Sequence, residues 1–379
     1  MEKEKMYDCA VIGGGLAGLT LSIQLAKNGH SVIIFEKEQY PFHKVCGEYI
    51  SLESWSFLEK LGVPLSNLNL PIIKKLVVTS PAGTALNADL TLGGFGISRY
   101  KIDNDLKKIA IQNGVRLLEN CKVEDAVFQN NEFTLLTSSG KFNSRVCCGT
   151  FGKRSNLDIK WKRSFVHKAG NKLNNYIGVK YHVSSDFEQD TIALHNFKDG
   201  YCGISKIEDN RYCLCYLTNA ANLKASNNSI DQMETNILSK NPHLQNIFKT
   251  TRKLYTQPLS ISQISFQKKS LVKDHVLMIG DAAGMITPLC GNGMSMAMHG
   301  GKIAAAAIGA FLKSNITREK METDYITAWN TMFAKRLRIG RIIQRFFGKI
   351  WITNLFVRTM KLFPQLTRWL ISQTHGKPF

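Results

Sequence analysis

Residues 7–12, Tyr-Asp-Cys-Ala-Val-Ile, and residues 13–18, Gly-Gly-Gly-Leu-Ala-Gly, decide the fold of this chain of 379 residues. The short apolar run is typical of a buried parallel strand. The glycines match the pattern G-x-G-x-x-G, and a helical pattern follows that ends at Asn28-Gly29. A second apolar run, Val32–Phe35, then ends in Glu36. Strand, glycine turn, helix, second strand and acid in this order predict a dinucleotide-binding βαβ unit.

Each position of this unit has its own physical role. Gly13 allows a tight turn, Gly15 lets backbone N–H groups approach a pyrophosphate, and Gly18 lets the helix pack closely on the strand. The positive N-terminus of the helix faces the phosphates, and the acid can accept hydrogen bonds from ribose hydroxyls. The predicted cofactor contacts here are Gly13, Gly15, Leu16, Ala17, Gly18, Glu36 and Lys37.

A second strand, loop and helix unit lies near residue 280. The apolar strand His275–Ile279 leads into Gly280-Asp281, and a long helical pattern runs from Met294 to Leu312. The small residues between them let a ligand approach the backbone, and the aspartate can bind a ribose or ribityl hydroxyl. The predicted contacts of this unit are Gly280, Asp281, Pro288, Gly291, Asn292 and Gly293.

Together these motifs resemble the superfamily of FAD-dependent monooxygenases and geranylgeranyl reductases. The segment Pro41–Glu48 is similar to a loop that passes near the flavin in the reductase branch of this superfamily. Arg99 matches an arginine that the family carries ahead of a helix beneath the FAD. The resemblance implies an α/β fold: a Rossmann-like FAD-binding domain, an antiparallel β-sheet substrate domain and C-terminal helices. It also implies FAD as cofactor, NAD(P)H as transient electron donor, and FAD contacts from Cys46, Gly47, Arg99 and Val123.

The domain boundaries follow from these segments. We expect residues 1–70, 97–155 and 270–312 to form the FAD-binding domain, residues 71–96 and 156–269 the substrate domain, and residues 313–379 basic amphipathic helices. Turn signals at 80–83, 199–200 and 208–210 predict antiparallel strands in the substrate domain. Tyr201, Tyr212 and Tyr216 could line the substrate pocket, or they could pack the sheet against a helix.

The resemblance leaves the reaction open. We expect monooxygenation of a hydrophobic aromatic or polyketide-like substrate, and the alternative is double-bond reduction in an isoprenoid or lipid. A flavin-dependent halogenase and a non-enzymatic nucleotide-binding protein are minor alternatives. The catalytic residues are unknown, with Cys46 and Glu48 as candidates. Phe151 replaces an aspartate that many monooxygenases carry in a Gly-Ala-Asp-Gly segment, so that motif does not predict how NAD(P)H binds.

The charge is concentrated in two segments. Of a net charge of +20, residues 325–379 contribute +10, with ten Lys/Arg and no Asp/Glu, and residues 141–180 contribute +9. The second segment could attract NAD(P)H phosphates. Residues 335–369 alternate basic and apolar positions at helical spacing, which suits an anionic membrane surface or a solvated helical cap.

Composition and cysteine usage suggest the compartment. We expect a reduced, cytoplasmic protein, because nine cysteines lack zinc spacing and no signal peptide precedes the first strand. Peripheral attachment at the inner face of a membrane fits the basic tail. We predict no metal site, and we expect no nucleic-acid partner because no nucleic-acid motif is present.

Overall fold

The protein is described by a computed structural model over residues 5–166, 175–286, 292–346, 349–374 and 376–379. Its strands are β1 (Met6–Ile12), β2 (Val32–Phe35), β3 (Tyr49–Ser51), β4 (Ile72–Thr79), β5 (Ala85–Gly96), β6 (Arg116–Leu118), β7 (Val123–Gln129), β8 (Glu132–Thr137), β9 (Gly140–Gly149), β10 (Tyr176–Ser184), β11 (Thr191–Phe197), β12 (Gly200–Lys206), β13 (Tyr212–Asn219), β14 (Arg252–Lys253), β15 (Leu259–Ile264), β16 (Val272–Lys273) and β17 (Val276–Met278). Its helices are α1 (Leu16–Lys27), α2 (Trp55–Leu61), α3 (Arg99–Gln112), α4 (Asn156–Lys160), α5 (Ala220–Ala225), α6 (Ile230–Asn236), α7 (Pro242–Thr250), α8 (Gly293–Leu312), α9 (Arg318–Phe346), α10 (Ile350–Leu362) and α11 (Pro364–Thr374).

The first sheet is built around the predicted βαβ unit. Among the described residues its strands run in the order β16-β17-β9-β1-β2-β6, with β7 and β8 attached through β9. β1 pairs in parallel with both β2 and β9, and β9 pairs in parallel with β17. The apolar strands are buried on both faces, as parallel strands flanked by helices require. The predicted α/β fold class is confirmed.

The second sheet is built mainly from the segments that the sequence assigns to a substrate domain. Its strands, within the described ranges, run in the order β14-β10-β13-β12-β11-β4-β5-β3, and β15 also pairs with β10, at the residues that precede its pairing with β14. The predicted hairpins close as expected, except that β4 and β11 pair in parallel, so the sheet is mixed rather than fully antiparallel. β3 pairs with β5, and this places residues 49–51 in the second sheet although the sequence assigns 1–70 to the FAD-binding domain.

The two faces of the second sheet have different neighbours. One face packs against α6 and α7 and forms its own apolar core. The other face turns toward the FAD-binding domain, where Tyr201 and Leu217 pack against Met285. Because side chains alternate along a strand, each strand of this sheet contributes to both environments.

The C-terminal helices pack on both domains. α9 buries Tyr325, Trp329, Phe333 and Leu337 against the core of the FAD-binding domain. α10 packs Val357 and the rest of its inner face against β5. No helix in the described part of the chain is both long enough and apolar enough to cross a membrane.

His195 on β11 links the second sheet to α7. Its Nδ1 lies 2.9 Å from the Thr79 hydroxyl, and its ring stacks on His243 at a centroid distance of 5.5 Å. Burial lowers the pKa of His195 to about 3, with a smaller contribution from His243. The protonated ring is therefore disfavoured in the folded protein.

We predict that this histidine makes the protein sensitive to acid. The unfolded chain binds the proton near pH 6.5 and the folded chain near pH 3, so stability falls as pH drops below about 6.5. At pH 5 the loss from His195 is about 2 kcal/mol. Urea unfolding of His195→Asn at pH 7 and pH 5 should show a difference smaller by that amount than in the unsubstituted protein. An unchanged difference would contradict the prediction.

Candidate functional site

The glycines of the first turn have distinct surroundings. Gly13 has φ +109°, and a Cβ there would lie 2.8 Å from the Thr150 carbonyl oxygen. A Cβ on Gly18 would lie 2.2 Å from the Gly13 oxygen, so α1 approaches β1 only because this residue is glycine. Gly15 differs, because the atoms nearest to its Cβ position are side-chain nitrogens of Arg99, at 3.5 Å, and Lys44, at 3.9 Å. Two of these glycines shape the turn, and the third faces two cations.

The two cations are held in place by one buried acid. Asp103 accepts hydrogen bonds from Arg99 at 2.7 and 2.8 Å and from Lys44 at 2.9 Å. Burial raises the pKa of the Asp103 carboxyl, but Arg99 and Lys44 outweigh it and the net shift is downward. Two positive groups against one negative group leave an excess positive charge beside the N-terminus of α1, where a pyrophosphate is favoured. The sequence did not predict a role for Lys44, although this residue lies within the loop Pro41–Glu48.

The predicted ribose acid lies directly against the turn. The Glu36 carboxylate accepts the N–H groups of Gly14, at 2.9 Å, and of Glu38, at 3.1 Å. Val123 is buried at the start of β7, close to Glu36, whose carbonyl accepts the Cys121 N–H at 2.9 Å. The Lys37 side chain is 70 % exposed and pairs with Glu38, so it is the outermost of the predicted contacts.

The second unit meets the first at the same turn. Gly280 has φ +66°, and a Cβ there would lie 3.1 Å from that of Ala17 on α1. The buried Lys269 donates to the Asp281 carbonyl oxygen at 2.8 Å, and burial lowers the pKa of its ammonium group to about 8. Asn292 is buried at the start of α8, whose first residue is Gly293. Pro288 and Gly291 lie outside the described residues.

These residues fit FAD. Gly15 and its two cations offer a pyrophosphate cradle, while Glu36 and Asp281 provide carboxylates for hydroxyl groups. When bound there, FAD supplies two-electron redox chemistry. The chain's own contribution is the glycine turn, the excess positive charge and the N-termini of α1 and α8.

Glu48, a catalytic candidate, lies in a buried charged cluster beside this site. Its carboxylate accepts a hydrogen bond from Lys180 at 2.5 Å and from the Arg99 N–H at 2.8 Å, and it lies 2.6 Å from His182 Nε2. Burial raises the pKa of the Glu48 carboxyl, but Lys180 and His182 outweigh it and the net shift is downward. The same pairing raises the pKa of Lys180 against the opposing effect of burial. Glu48 is therefore an ionised anchor rather than a ready acid.

A chain of hydrogen bonds runs outward from this cluster. His182 Nδ1 lies 3.2 Å from the Tyr255 hydroxyl, which lies 3.0 Å from His43 Nε2. Burial, with smaller contributions from Lys180 and His182, lowers the pKa of His43 to about 4, so its ring is neutral at pH 7. Tyr255 is 36 % exposed, and this end of the chain meets solvent.

Sequence reasoning missed Lys180, His182 and Tyr255. The first two alternate with the apolar residues Val179, Tyr181 and Val183 along β10. Polar side chains on every second position of a buried strand are the one signal that could have identified them. Their partner Glu48 is more than 130 positions away in the sequence, so spacing alone could not pair them.

Cys46, the other catalytic candidate, is half-buried in the same loop. Its carbonyl oxygen accepts a hydrogen bond from the Cys213 thiol at 3.2 Å, and burial raises the pKa of that thiol well above its usual value. Glu48, His182 and Cys213 place ligand atoms within 4.8 Å of one another. Lys180 already neutralises Glu48, so these contacts form an ion-pair cluster rather than a metal centre.

The three predicted pocket tyrosines lie on opposite faces of the second sheet. Tyr201 packs on the face turned toward the FAD-binding domain. Tyr212 and Tyr216 lie on the other face, where Tyr216 donates to the buried Glu234 at 2.9 Å. They lie on different faces because side chains alternate between the two faces along a strand. Of the two alternatives that the sequence left open for Tyr212 and Tyr216, their position favours packing of the sheet against α6 and α7.

Comparison with known proteins indicates the same cofactor, FAD, as the residues of the site do. The family profile of the FAD binding domain matches residues 8–44. Conditioned medium factor receptor 1 of Dictyostelium discoideum is 25% identical over 91% of this chain and 71% of its own length. A digeranylgeranylglycerophospholipid reductase of Methanococcus vannielii is 25% identical over 88% of this chain and 85% of its own length. The structure of a flavin-dependent brominase superposes with a TM-score of 0.78 at 20% identity, covering 98% of this chain and 93% of that one.

Fold, site and similarity converge on one class of protein. The resemblance to FAD-dependent oxidoreductases that the sequence predicts is confirmed, and the chain is an FAD-dependent enzyme. Binding of FAD is supported both by the matched segment and by the charge arrangement around Gly15.

We predict that Gly15→Ala separates cofactor binding from folding. The new methyl group meets no atom closer than 3.5 Å and φ is −84°, so the fold is retained. It would nevertheless occupy the space in front of the two cations and weaken flavin binding at least tenfold. Flavin absorbance of the purified protein and urea unfolding of its apo form measure the two effects. Gly309→Ala, a helical position with no neighbour within 4 Å, is the matched control. Full flavin content in Gly15→Ala would contradict the prediction.

Proposed function

We propose that this enzyme reduces carbon–carbon double bonds in a hydrophobic, isoprenoid-like substrate. The carrying observation is the hydrogen-bond chain from the exposed Tyr255 and the half-buried His43 through His182 to the buried Glu48. Addition of two hydrogens to an alkene consumes a proton at one carbon, and a water-poor site needs a built route for it. The similarity to a reductase of geranylgeranyl lipids supports the same substrate class.

Each member of the chain has a role that follows from its contacts. The Tyr255 hydroxyl and the two imidazoles can each donate and accept a proton, so they can pass it inward in steps of 2.6 to 3.2 Å. Glu48 stays ionised and holds the arriving proton on His182, which is then the donor, while Lys180 balances the charge of the carboxylate. The cluster thereby keeps a proton available beside a buried carboxylate that is itself paired.

The monooxygenase expected from the sequence is the second candidate. Its support is the same apolar, buried setting, because oxygen-dependent flavin chemistry also requires exclusion of water. Halogenation belongs to this candidate group, since it too consumes oxygen, and the brominase shares the fold. We propose NAD(P)H as the electron donor for the monooxygenase and for the halogenase alike.

A requirement for oxygen distinguishes the candidates. We expect purified protein to show flavin absorbance bands at about 370 and 450 nm. After reduction with NAD(P)H or dithionite in the absence of oxygen, digeranylgeranylglycerophospholipid should reoxidise the flavin and gain two hydrogens per double bond, as measured by mass spectrometry. Product formed only in the presence of oxygen would refute the reductase and support the second candidate.

A second prediction concerns the proton route. Tyr255→Phe removes one hydroxyl from the chain and keeps the ring that packs on His43 at 5.2 Å. Anaerobic, substrate-dependent flavin reoxidation should slow by roughly 10- to 100-fold, with flavin content unchanged. Tyr100→Phe is the matched control, because Tyr100 stacks on the same histidine and is similarly exposed. Equal rates in the two variants would contradict a route through Tyr255.

A further inference from the structure

The helices α10 and α11 carry apolar side chains on their outer surface. Trp351 and Leu362 are 69 % and 75 % exposed, although both are large apolar residues. We call this surface the outer face, defined by Trp351, Leu355, Leu362, Phe363, Leu366 and Trp369. Several large apolar side chains exposed on two consecutive helices indicate an interaction site.

The outer face is distinct from the face that packs on the protein. On α10, Thr353, Val357 and Met360 recur at three- and four-residue spacing and are buried against β5. Trp351 and Leu355 are one turn apart on a different side of the same helix. The internal packing of α10 is therefore satisfied without the outer face, which leaves that face free to contact a partner.

The charges beside the outer face identify its partner. Arg358, Lys361 and Arg368 are exposed on these two helices, and the exposed Lys349 directly precedes α10. The sequence from 325 to 379 contains no Asp or Glu, so no acidic side chain on these helices offsets them. Exposed tryptophans among basic residues are typical of helices that lie in the interface of an anionic membrane.

We propose that the outer face of α10 and α11 docks on an anionic lipid surface. The position of the helices adds a consequence that rests on the proposed function. Val78 packs against both the apolar cluster under α10 and the cluster around Tyr201 and Met285. The sheet face turned toward the FAD-binding domain thus continues beneath the docking helices, close to the surface at which an apolar substrate would leave the bilayer.

Vesicle flotation of the full chain tests the docking. We expect binding to phosphatidylcholine vesicles that contain phosphatidylglycerol and at least tenfold weaker binding to phosphatidylcholine alone. Substitution is preferable to truncation, because α9 buries Trp329 and Phe333 in the core. Trp351→Ser with Leu355→Ser should reduce binding to anionic vesicles at least tenfold. The control pair is Ile111→Ser with Ile159→Ser, at similarly exposed apolar positions on α3 and α4.

The basic residues are tested separately. Arg358→Gln with Lys361→Gln should reduce anionic binding roughly tenfold, while Lys224→Gln with Lys249→Gln, exposed elsewhere, should leave it unchanged. Equal binding by either outer-face variant and its control would overturn the proposal. So would failure to bind anionic vesicles together with binding to an acidic protein. Flavin absorbance and anaerobic reoxidation with detergent-solubilised substrate report on the proposed function independently, so the two can fail separately.

Discussion

The ion pair between Glu48 and Lys180 connects the two halves of this enzyme. The carboxylate belongs to the loop that follows β2 of the first sheet, and the ammonium group belongs to β10 of the second. Both side chains are almost completely buried. Loss of either would leave the other as a buried charge without a partner, which lowers the stability of the fold by about 3–5 kcal/mol. Glu48 also has φ 55°, a conformation that a non-glycine residue holds only where its contacts fix it.

The flavin site and the proton route depend on the same junction. The Arg99 N–H donates to Glu48, while its guanidinium group lies beside Gly15 and pairs with Asp103. A single residue therefore contacts both the buried cluster and the position expected for the pyrophosphate. This arrangement couples cofactor binding to the cluster, because the backbone N–H of Arg99 binds Glu48 and its guanidinium group binds Asp103.

Local order in the chain explains which predictions succeeded. The turn at Gly13–Gly18 and the hairpin of β12 and β13 depend on residues close together in sequence, and both form as predicted. The parallel pairing of β4 with β11 joins residues more than 100 positions apart and carries no local signal. The sequence left the face of Tyr212 and Tyr216 open because an aromatic residue suits either side of a buried strand.

The sequence by itself determined the dinucleotide-binding unit, since glycine spacing and apolar runs leave few alternatives for a strand that turns into a helix. It also determined a basic, acid-free C-terminal region. Tertiary structure alone decided that Glu48 is an ionised anchor and that Lys180, His182 and Tyr255 join it. The reason is physical: the pKa of a buried carboxyl and the partners it binds are set by groups that only folding brings within hydrogen-bond distance.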